Sequence, residues 1–244
     1  MRELKLKFNG HILDDMIPGY TTANIEGRGL YTPSLSTFTV PGREGDIVKD
    51  QALPGRDLVV HFVLKADNAK EYLDRQRKLN LLLHAEEDVL VIFTDRPEET
   101  WTGRVSGYKA PEYDSWQGQG TITIHCSDPF ARLPDVTVTQ GTLTDSRLSG
   151  CYALRLKKAT FTATATTDVA LVNKSTAQRI AFNSLPNTGK IEIERDQILL
   201  GIQNAVPYLD YQVTTWKGFV VHYGDTLYLK NGTDPTYTIE RLVL

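Results

Sequence analysis

Leu58-Val-Val-His-Phe-Val-Leu64 is an apolar run of strand length, rich in the β-branched residues that suit a buried pleated surface. A helix is predicted to follow, because Asn68 with Glu71 three residues later forms a capping-box-like start. Apolar and neutral side chains then recur on one helical face, and charged ones occupy the opposite face. The predicted inner face comprises Ala69, Tyr72, Leu73, Gln76, Leu79 and Leu83. Val89-Leu-Val-Ile-Phe93 begins a second buried strand, so the stretch predicts a strand-helix-strand unit with the one helix of the chain.

The composition favours a two-domain protein. The 244 residues are enough for two β domains that each bury a core. Its 27 basic and 30 acidic residues give a net charge of −3 without a basic block, which argues against specific nucleic-acid binding. No apolar run reaches membrane-spanning length and the charged start does not resemble a signal peptide, so we expect cytoplasmic synthesis and no membrane contact. Cys126 and Cys151 lie in strand-like patterns that favour buried thiols over a disulfide.

The first half of the chain is predicted to be β-rich around the helix. Residues 4–8 alternate leucine or phenylalanine with lysine and lead into Asn9-Gly10, a strong hairpin signal. Residues 17–56 are rich in turn formers and predict short strands joined by ordered loops. The other predicted strands of this half are 36–40, 101–108 and 120–126. In the last of these, Ile122, Ile124 and Cys126 alternate with threonines and His125, as expected for a strand with one buried face.

Two prolines in Ser127-Asp-Pro-Phe-Ala-Arg-Leu-Pro-Asp135 are predicted to interrupt the strands and to mark a domain boundary. Downstream, short strand patterns recur at regular spacing, as in a β-sandwich. Threonines alternate with Phe161 and alanines over 161–167, which predicts one wet and one buried face. The predicted strands are 136–139, 152–156, 161–167, 169–172, 179–182, 191–195, 208–213, 219–223, 226–229 and 237–242. We therefore predict two domains, 1–131 and 132–244, and leave open whether the last strand returns to the first domain.

Motifs that carry catalytic chemistry are missing from the sequence. It contains no histidine pair with metal spacing, no Gly-x-Ser-x-Gly elbow, no Walker loop and no Gly-x-Gly-x-x-Gly after a strand. His61 and His125 fall within strand patterns, where a structural histidine is the common outcome. Acidic neighbours, Asp14-Asp15, Glu86-Glu-Asp88 and Glu98-Glu99, are typical of solvated loops rather than of a glycosidase pair. We predict no enzyme activity, no catalytic or metal site and no cofactor.

Aromatic residues suggest two uses. In the second half of the chain they are Trp216, Tyr208, Tyr211 and Tyr223. A sugar-binding face would use such residues, but aromatics that alternate within strands usually build a core, and that interpretation is favoured. In the first half, Trp101 and Trp116 flank a turn region, where either core packing or a subunit contact would use an indole.

Several short motifs occur in an order that resembles a known family. They are Phe8-Asn-Gly10 at the end of the first strand, Gly42-Arg-Glu-Gly-Asp46, Pro54-Gly-Arg56 before the long apolar strand, the single helix, 89–93 and Asp128-Pro-Phe130. Each motif is common alone, but their order and spacing around one helix are more specific. Together they resemble the N-terminal domain of siphophage distal tail proteins, over roughly the first half of the chain.

The resemblance implies a mainly β protein in which a β-sandwich-like N-terminal domain with one α-helix forms a ring and a galectin-like, jelly-roll β-sandwich lies at the periphery. It implies a hexameric ring at the tip of the phage tail in the virion, assembled in the host bacterial cytoplasm. Such a ring is a structural hub that joins the tail tube protein to the tail-tip protein and to receptor-binding components. The candidate ring contacts are the charged loop 42–49, Trp116 and uncovered strand edges.

Two other functions stay open. A carbohydrate-binding sandwich attached to a structural domain, in contact with the host cell wall, would also explain the aromatics. No His-Asn-Arg cluster stands beside Trp216, so a galectin-type glycan site does not carry over, and fold by itself does not bring function. A β-sandwich hydrolase is the third alternative, and it would require the acidic clusters to act on cell-wall substrates.

Overall fold

The computed structural model describes residues 3–109, 116–215 and 219–244. The protein is mainly β, which confirms the predicted class. It divides into two compact units, Met1–Arg132 with Leu244 and Leu133–Val243. No helix in the described ranges is long and apolar enough to cross a membrane.

The first unit consists of antiparallel strands in the order β3-β6-β9-β8-β7-β1-β2, with a separate hairpin β4-β5. These strands are β1 (Leu6–Phe8), β2 (His11–Ile12), β3 (Tyr20–Glu26), β4 (Ser34–Thr39), β5 (Asp46–Ala52), β6 (Arg56–Lys65), β7 (Val89–Phe93), β8 (Arg96–Lys109) and β9 (Gln117–Cys126). The long strand β8 is shared, because its first half pairs with β7 and its second half pairs with β9. The hairpin predicted at Asn9-Gly10 is confirmed by the pairing of β1 with β2, and both turn residues have the positive φ that such a turn requires.

Strand β6 lies between β3 and β9 and carries much of the core of this unit. Leu58, Val60, Phe62 and Leu64 are fully buried, while the residues between them are half-buried or exposed. The predicted strands at 58–64 and 89–93 are confirmed as β6 and β7. They do not pair with each other, since β7 pairs with β1 and β8, so the strand-helix-strand stretch is not a parallel crossover unit.

The predicted helix is α2 (Ala69–Leu83), and its start is as expected. Asn68 Oδ1 accepts a hydrogen bond from the Glu71 amide at 3.0 Å. Tyr72, Leu79 and Leu83 are buried, whereas Leu73 is exposed. The prediction that Leu73 lies on the inner face is wrong, because at 3.6 residues per turn it points roughly 100° away from Tyr72. A second helix, α1 (Leu13–Met16), corrects the prediction of a single helix.

The segment 127–135 interrupts the strands only in its first part, because β9 ends at Cys126 and a new strand begins at Ala131. Strand β10 (Ala131–Val138) runs through Pro134 and pairs with β8 at Arg132↔Thr100. Proline is tolerated in a strand where its missing amide is not needed by a neighbouring strand. The Pro134 carbonyl accepts a hydrogen bond from Arg241 Nε at 2.8 Å.

The second unit is built from antiparallel strands that form two sheets. They are β11 (Ala153–Ala163), β12 (Thr167–Asn173), β13 (Arg179–Ser184), β14 (Gly189–Glu194), β15 (Ile198–Leu200), β16 (Gln203–Asn204), β17 (Val220–Val221), β18 (Leu227–Lys230) and β19 (Gly232–Val243). One sheet has the order β16-β15-β14-β11-β19-β10, with β17 also on β11, and the other has the order β13-β12-β18. Phe161 and Ile191 from the first sheet and Leu171 and Ile180 from the second share one hydrophobic core. The galectin-like character of this unit stays a prediction.

Several predicted strands of this unit need correction. Residues 152–156 and the start of 161–167 belong to one strand, β11, in which Phe161 and Ala163 are buried and Thr162 is exposed, as predicted. Residues 208–213 are not a strand, because a 3-10 turn at Val206–Tyr208, with Pro207 in its first turn, occupies their start. Strands β15 and β16 were not predicted. The last strand, β19, pairs with β11 through Ala159↔Tyr237 and lies in the second unit.

Candidate assembly surface

The two strand histidines form surface pairs with carboxylates. His61 Nε2 lies 2.9 Å from Glu26 Oε1, and His125 Nδ1 lies 2.7 Å from Asp57 Oδ1. Asp57 and His125 are direct cross-strand partners in β6 and β9. These contacts are the cross-strand pairs that stabilise a sheet surface rather than parts of a catalytic group.

The acidic neighbours are spread over separate contacts. Asp14 Oδ1 accepts from the Thr22 amide at 2.7 Å, and Asp88 Oδ1 lies 2.6 Å from Arg104 Nε. Glu99 pairs with Arg96 at 3.3 Å. Within the described ranges, no group of three or more metal-binding side chains comes together.

The cysteines and the tryptophans of the first half have mixed environments. Cys126 is buried as predicted, and burial raises the pKa of its thiol to about 12, whereas Cys151 is only partly buried.

Trp101 is a core residue. Trp116 is half-buried rather than exposed, and its carbonyl accepts from the Ala66 amide at 2.8 Å. Trp116 is therefore a weaker candidate for a ring contact than predicted.

The aromatics of the second half do not all build the core. Trp216 lies outside the described residues. Tyr211 and Tyr223 are both more than half exposed, so the core interpretation is wrong for them, while Tyr208 is half-buried. The Tyr211 hydroxyl donates to the Val206 carbonyl at 2.9 Å.

The hairpin formed by β4 and β5, in the first unit, has no buried residues. Apart from the half-buried Ile47, every residue of both strands is exposed. The exposed residues include Leu35 at 55%, Phe38 at 48% and Val48 at 56% of their full accessible surface. Neither strand pairs with any other described strand. A two-stranded hairpin without packing is marginally stable in water, so this one is expected to be covered by another molecule.

Apolar residues lie on both faces of the hairpin. Phe38 is opposite Ile47, and Thr37 is opposite Val48, so successive pairs direct Phe38 to one face and Val48 to the other. A bulge between Ser36 and Thr37 interrupts the register. Because both faces and both outer edges are open, the hairpin offers main-chain and side-chain contacts at once.

The base of the hairpin is fixed to the core by one buried cation. The Tyr31 hydroxyl, before β4, donates to the carbonyl of Pro54, after β5. The Arg56 guanidinium lies 4.6 Å from the Tyr31 ring and 5.0 Å from the Trp101 ring, and Arg56 Nη1 donates to the Gly27 carbonyl at 3.0 Å. Burial lowers the pKa of Arg56. Both ends of the hairpin are therefore held at its base by contacts to Tyr31 and Arg56.

Sequence reasoning found only half of this surface. It predicted a strand at 36–40, which is β4, but assigned 42–49 to a charged loop, whereas Asp46–Ala52 is strand β5. A hairpin is indicated by the β-branched and aromatic residues that lie on both sides of the turn-forming Pro41-Gly-Arg-Glu-Gly45, in Thr37-Phe-Thr-Val40 and in Ile47-Val48.

Comparisons with known proteins identify the family of the first half of the chain. Residues 5–126 match the family model described as the phage tail protein RIFT-related domain. The distal tail protein of Bacillus phage SPP1 is 31% identical over 126 residues, which are 50% of this chain and 49% of that protein. This chain belongs to the siphophage distal tail protein family. Members of the family are structural tail proteins and not enzymes. The aligned part spans about half the length of the curated relative.

Solved structures of distal tail and baseplate proteins share the fold. The crystal structure of the SPP1 distal tail protein superposes with a TM-score of 0.77 at 24% identity and covers 98% of each chain. That protein is described as a paradigm of the hub adsorption apparatus in phages that infect Gram-positive bacteria. A chain of the phage P2 baseplate in its activated conformation superposes with a TM-score of 0.50 at 11% identity, over 99% of this chain and 98% of that one.

Proposed function

We propose that this protein is a structural hub of a phage tail tip. Copies of the chain close into a hexameric ring that joins the tail tube to the tail-tip and receptor-binding apparatus of the virion. The observation that carries the proposal is the bare hairpin β4-β5, which lies inside the family-matched part of the chain. Exposed apolar residues on both faces of a two-stranded element are expected at an assembly surface.

A closed ring places a specific demand on the subunit. Each copy must offer two different patches, because the contact repeats head to tail around the ring. The first unit supplies at least one such patch in the hairpin. The ring is assembled in the bacterial cytoplasm, and its partners are the tail tube protein on one side and tail-tip proteins on the other.

The test is the mass and symmetry of the purified full chain at high concentration. Light scattering should give a species of about 164 kDa, six times the 27.4 kDa chain, and micrographs should show six-fold rings. Joint replacement of Leu35, Phe38 and Val48 by serine should reduce the mass to that of the monomer. Ile202→Ser is the control, because Ile202 is also an exposed apolar residue, 97% exposed, but lies in the second unit. A chain that stays monomeric alone and with the tail tube protein would contradict the proposal.

Carbohydrate binding by the second unit is a second candidate, and the exposed tyrosines favour it. Leu154 is paired with Val221 in antiparallel strands, so Tyr152, two residues before Leu154, and Tyr223, two residues after Val221, lie toward the same end of that strand pair. Two exposed rings at one end are the kind of surface on which a sugar stacks. Binding of host cell-wall fragments that is lost in Tyr223→Ser, with the ring unchanged, would support this function. Equal binding by the variant would count against it.

A further inference from the structure

Helix α2 carries a second uncovered apolar surface in the first unit. Leu73 and Leu81 are 45% and 78% exposed, although leucine is normally inside. They lie eight residues apart with Arg77 midway, so these three side chains form one stripe along the outer face of the helix. The buried Tyr72, Leu79 and Leu83 lie on a different face, from which Leu73 is turned by roughly 100° and Leu81 by roughly 180°. The stripe is therefore free of the core and open to another molecule.

The hairpin and helix α2 carry net charges of opposite sign. Residues 34–52 contain three acidic and two basic side chains, a net charge of −1, and residues 69–83 contain two acidic and four basic side chains, a net charge of +2. Glu44 and Asp46, at the turn and the start of β5, are exposed and have no ion-pair partner among the described residues. Lys70 and Lys78 on α2 are likewise exposed and without an ion pair in the described ranges. The net charges of the two apolar surfaces are complementary, although Arg43 lies beside Glu44 in the hairpin turn, and complementary charge sets the register of a contact.

We propose that the hairpin β4-β5 of one copy docks on the outer face of α2 of a second copy. In this contact Leu35 and Val48 cover Leu73 and Leu81, and the acidic end of the hairpin faces Lys78. The inference rests on the proposed ring and identifies its two patches. Because the hairpin and the helix face are different surfaces of the same unit, the contact repeats head to tail and closes only when a ring is complete.

A charge-reversal cycle on the full chain tests the contact. Asp46→Lys alone and Lys78→Glu alone should each weaken assembly about tenfold, because each places like charges opposite one another. The double variant should recover most of the affinity of the natural chain, since the pair is restored in reverse. Both residues are exposed, so neither change is expected to unfold the protein. The measurement is the concentration at which the ring dissociates, followed by light scattering.

The matched control is Arg195→Glu, an equal charge reversal at an exposed position of the second unit. Combined with Asp46→Lys, it should not restore assembly. Leu81→Ser tests the apolar part of the contact and should weaken the ring without lowering the thermal stability of the monomer, because Leu81 is exposed.

The outcomes separate this contact from the ring itself. If the natural chain forms rings and the hairpin variants abolish them, while Lys78→Glu and Leu81→Ser leave them unchanged, α2 is not the counterpart and the inference is overturned. It is also overturned if both single reversals weaken the ring and the double variant does not recover. If the natural chain forms no ring under any condition, the proposed function fails as well.

Discussion

Gly27 closes the turn after β3 beneath the base of the hairpin. Its φ is +89°, and a Cβ at this position would lie 2.1 Å from the Asp57 carbonyl oxygen. Gly27 also offers the carbonyl that binds Arg56. Glycine is required here both for the left-handed backbone and for the close approach of β6.

Gly27→Ala should therefore destabilise the first unit by at least about 2 kcal/mol, since strain and a backbone clash add. Gly10→Ala is the matched control: Gly10 has φ +83° but no atom within 4 Å of its would-be Cβ, so only the strain of about 1 kcal/mol applies. Urea unfolding of both variants measures the difference. If both variants lose the same free energy of unfolding, the backbone near the Asp57 carbonyl moves away from the new Cβ without an energetic cost, and this account of Gly27 is wrong.

Asp225 is the centre of a buried polar network in the second unit. Asn173 Nδ2 donates to Asp225 Oδ2 at 2.7 Å and to the Val220 carbonyl at 3.0 Å, and the His222 amide donates to Asp225 Oδ2 at 2.8 Å. Burial raises the pKa of the Asp225 carboxyl, but the bonds from Asn173 and His222 outweigh it, so that the pKa lies below its usual value. The charged form is therefore the one that holds these strands together.

A carboxyl whose pKa is lowered by folding stabilises the folded state at pH values above its pKa in the unfolded chain. This stabilisation is lost as the pH falls through the lower pKa of the folded state. At pH 7, Asp225→Asn should cost about 1–3 kcal/mol, since a charged acceptor is lost. The difference between the natural chain and the variant should shrink as the pH falls below about 4, because the unfolded chain binds a proton at Asp225 there, whereas the folded chain does so only at the lowered pKa. Exposed Asp196→Asn is the control and should show no such convergence. A difference that is constant from pH 7 to pH 3 would contradict this account.

At the scale of the element, helix α2 has one face that contributes to the stability of the first unit and another that is available for assembly. Leu79 is fully buried, and Leu81, two residues later, is largely exposed. Both are leucines on one helix, so helix propensity is the same and only the environment differs. The helix is thus held to the sheet by one face, while its other face is available for contact.

Leu79→Ala should lower the free energy of unfolding by about 2–5 kcal/mol, because it leaves a cavity in the core. Leu81→Ala should change it by less than about 0.5 kcal/mol. Thermal or urea unfolding below the concentration at which rings form gives both values. A large loss in Leu81→Ala under those conditions would mean that this side chain packs within its own unit.

At the scale of the whole molecule, the second unit contains a core of its own. The cluster built around Phe161, Leu171, Ile191 and Tyr237 uses only residues between Val136 and Ile239. Burial of each large side chain is worth about 1.5–3 kcal/mol, so such a cluster is sufficient for a domain. We propose that the two units are separate folding domains.

Residues 133–243 should therefore fold alone and remain monomeric, because the proposed ring contacts lie in the first unit. Cooperative urea unfolding and dispersed amide resonances would confirm folding, and light scattering would give the mass. A disordered fragment would refute independent folding, whereas a folded fragment that forms rings would move the assembly surface to the second unit.

The sequence determined those features that depend on local spacing. The period of two in 120–126, the Asn68 cap with Glu71 and the Asn9-Gly10 turn each specify a structure through neighbours in the chain. The order of motifs around the helix likewise identified the family. The prediction for residues 131–135 was wrong because the position of Pro134 does not show whether its missing amide is needed by another strand. The prediction for residues 208–213 was wrong because Pro207 favours the 3-10 turn that occupies their start.

The tertiary structure decided what lies against what. The composition of β4 and β5 resembles that of other strands. The structure shows that neither strand is covered by another described strand, and that Leu35, Phe38 and Val48 are exposed to solvent. Leu73 and Leu79 are both leucines on helix α2, but Leu79 is buried and Leu73 is exposed. Burial depends on residues that are distant in the chain, so local pattern predicts the elements, whereas three-dimensional packing determines which apolar residues remain for a partner.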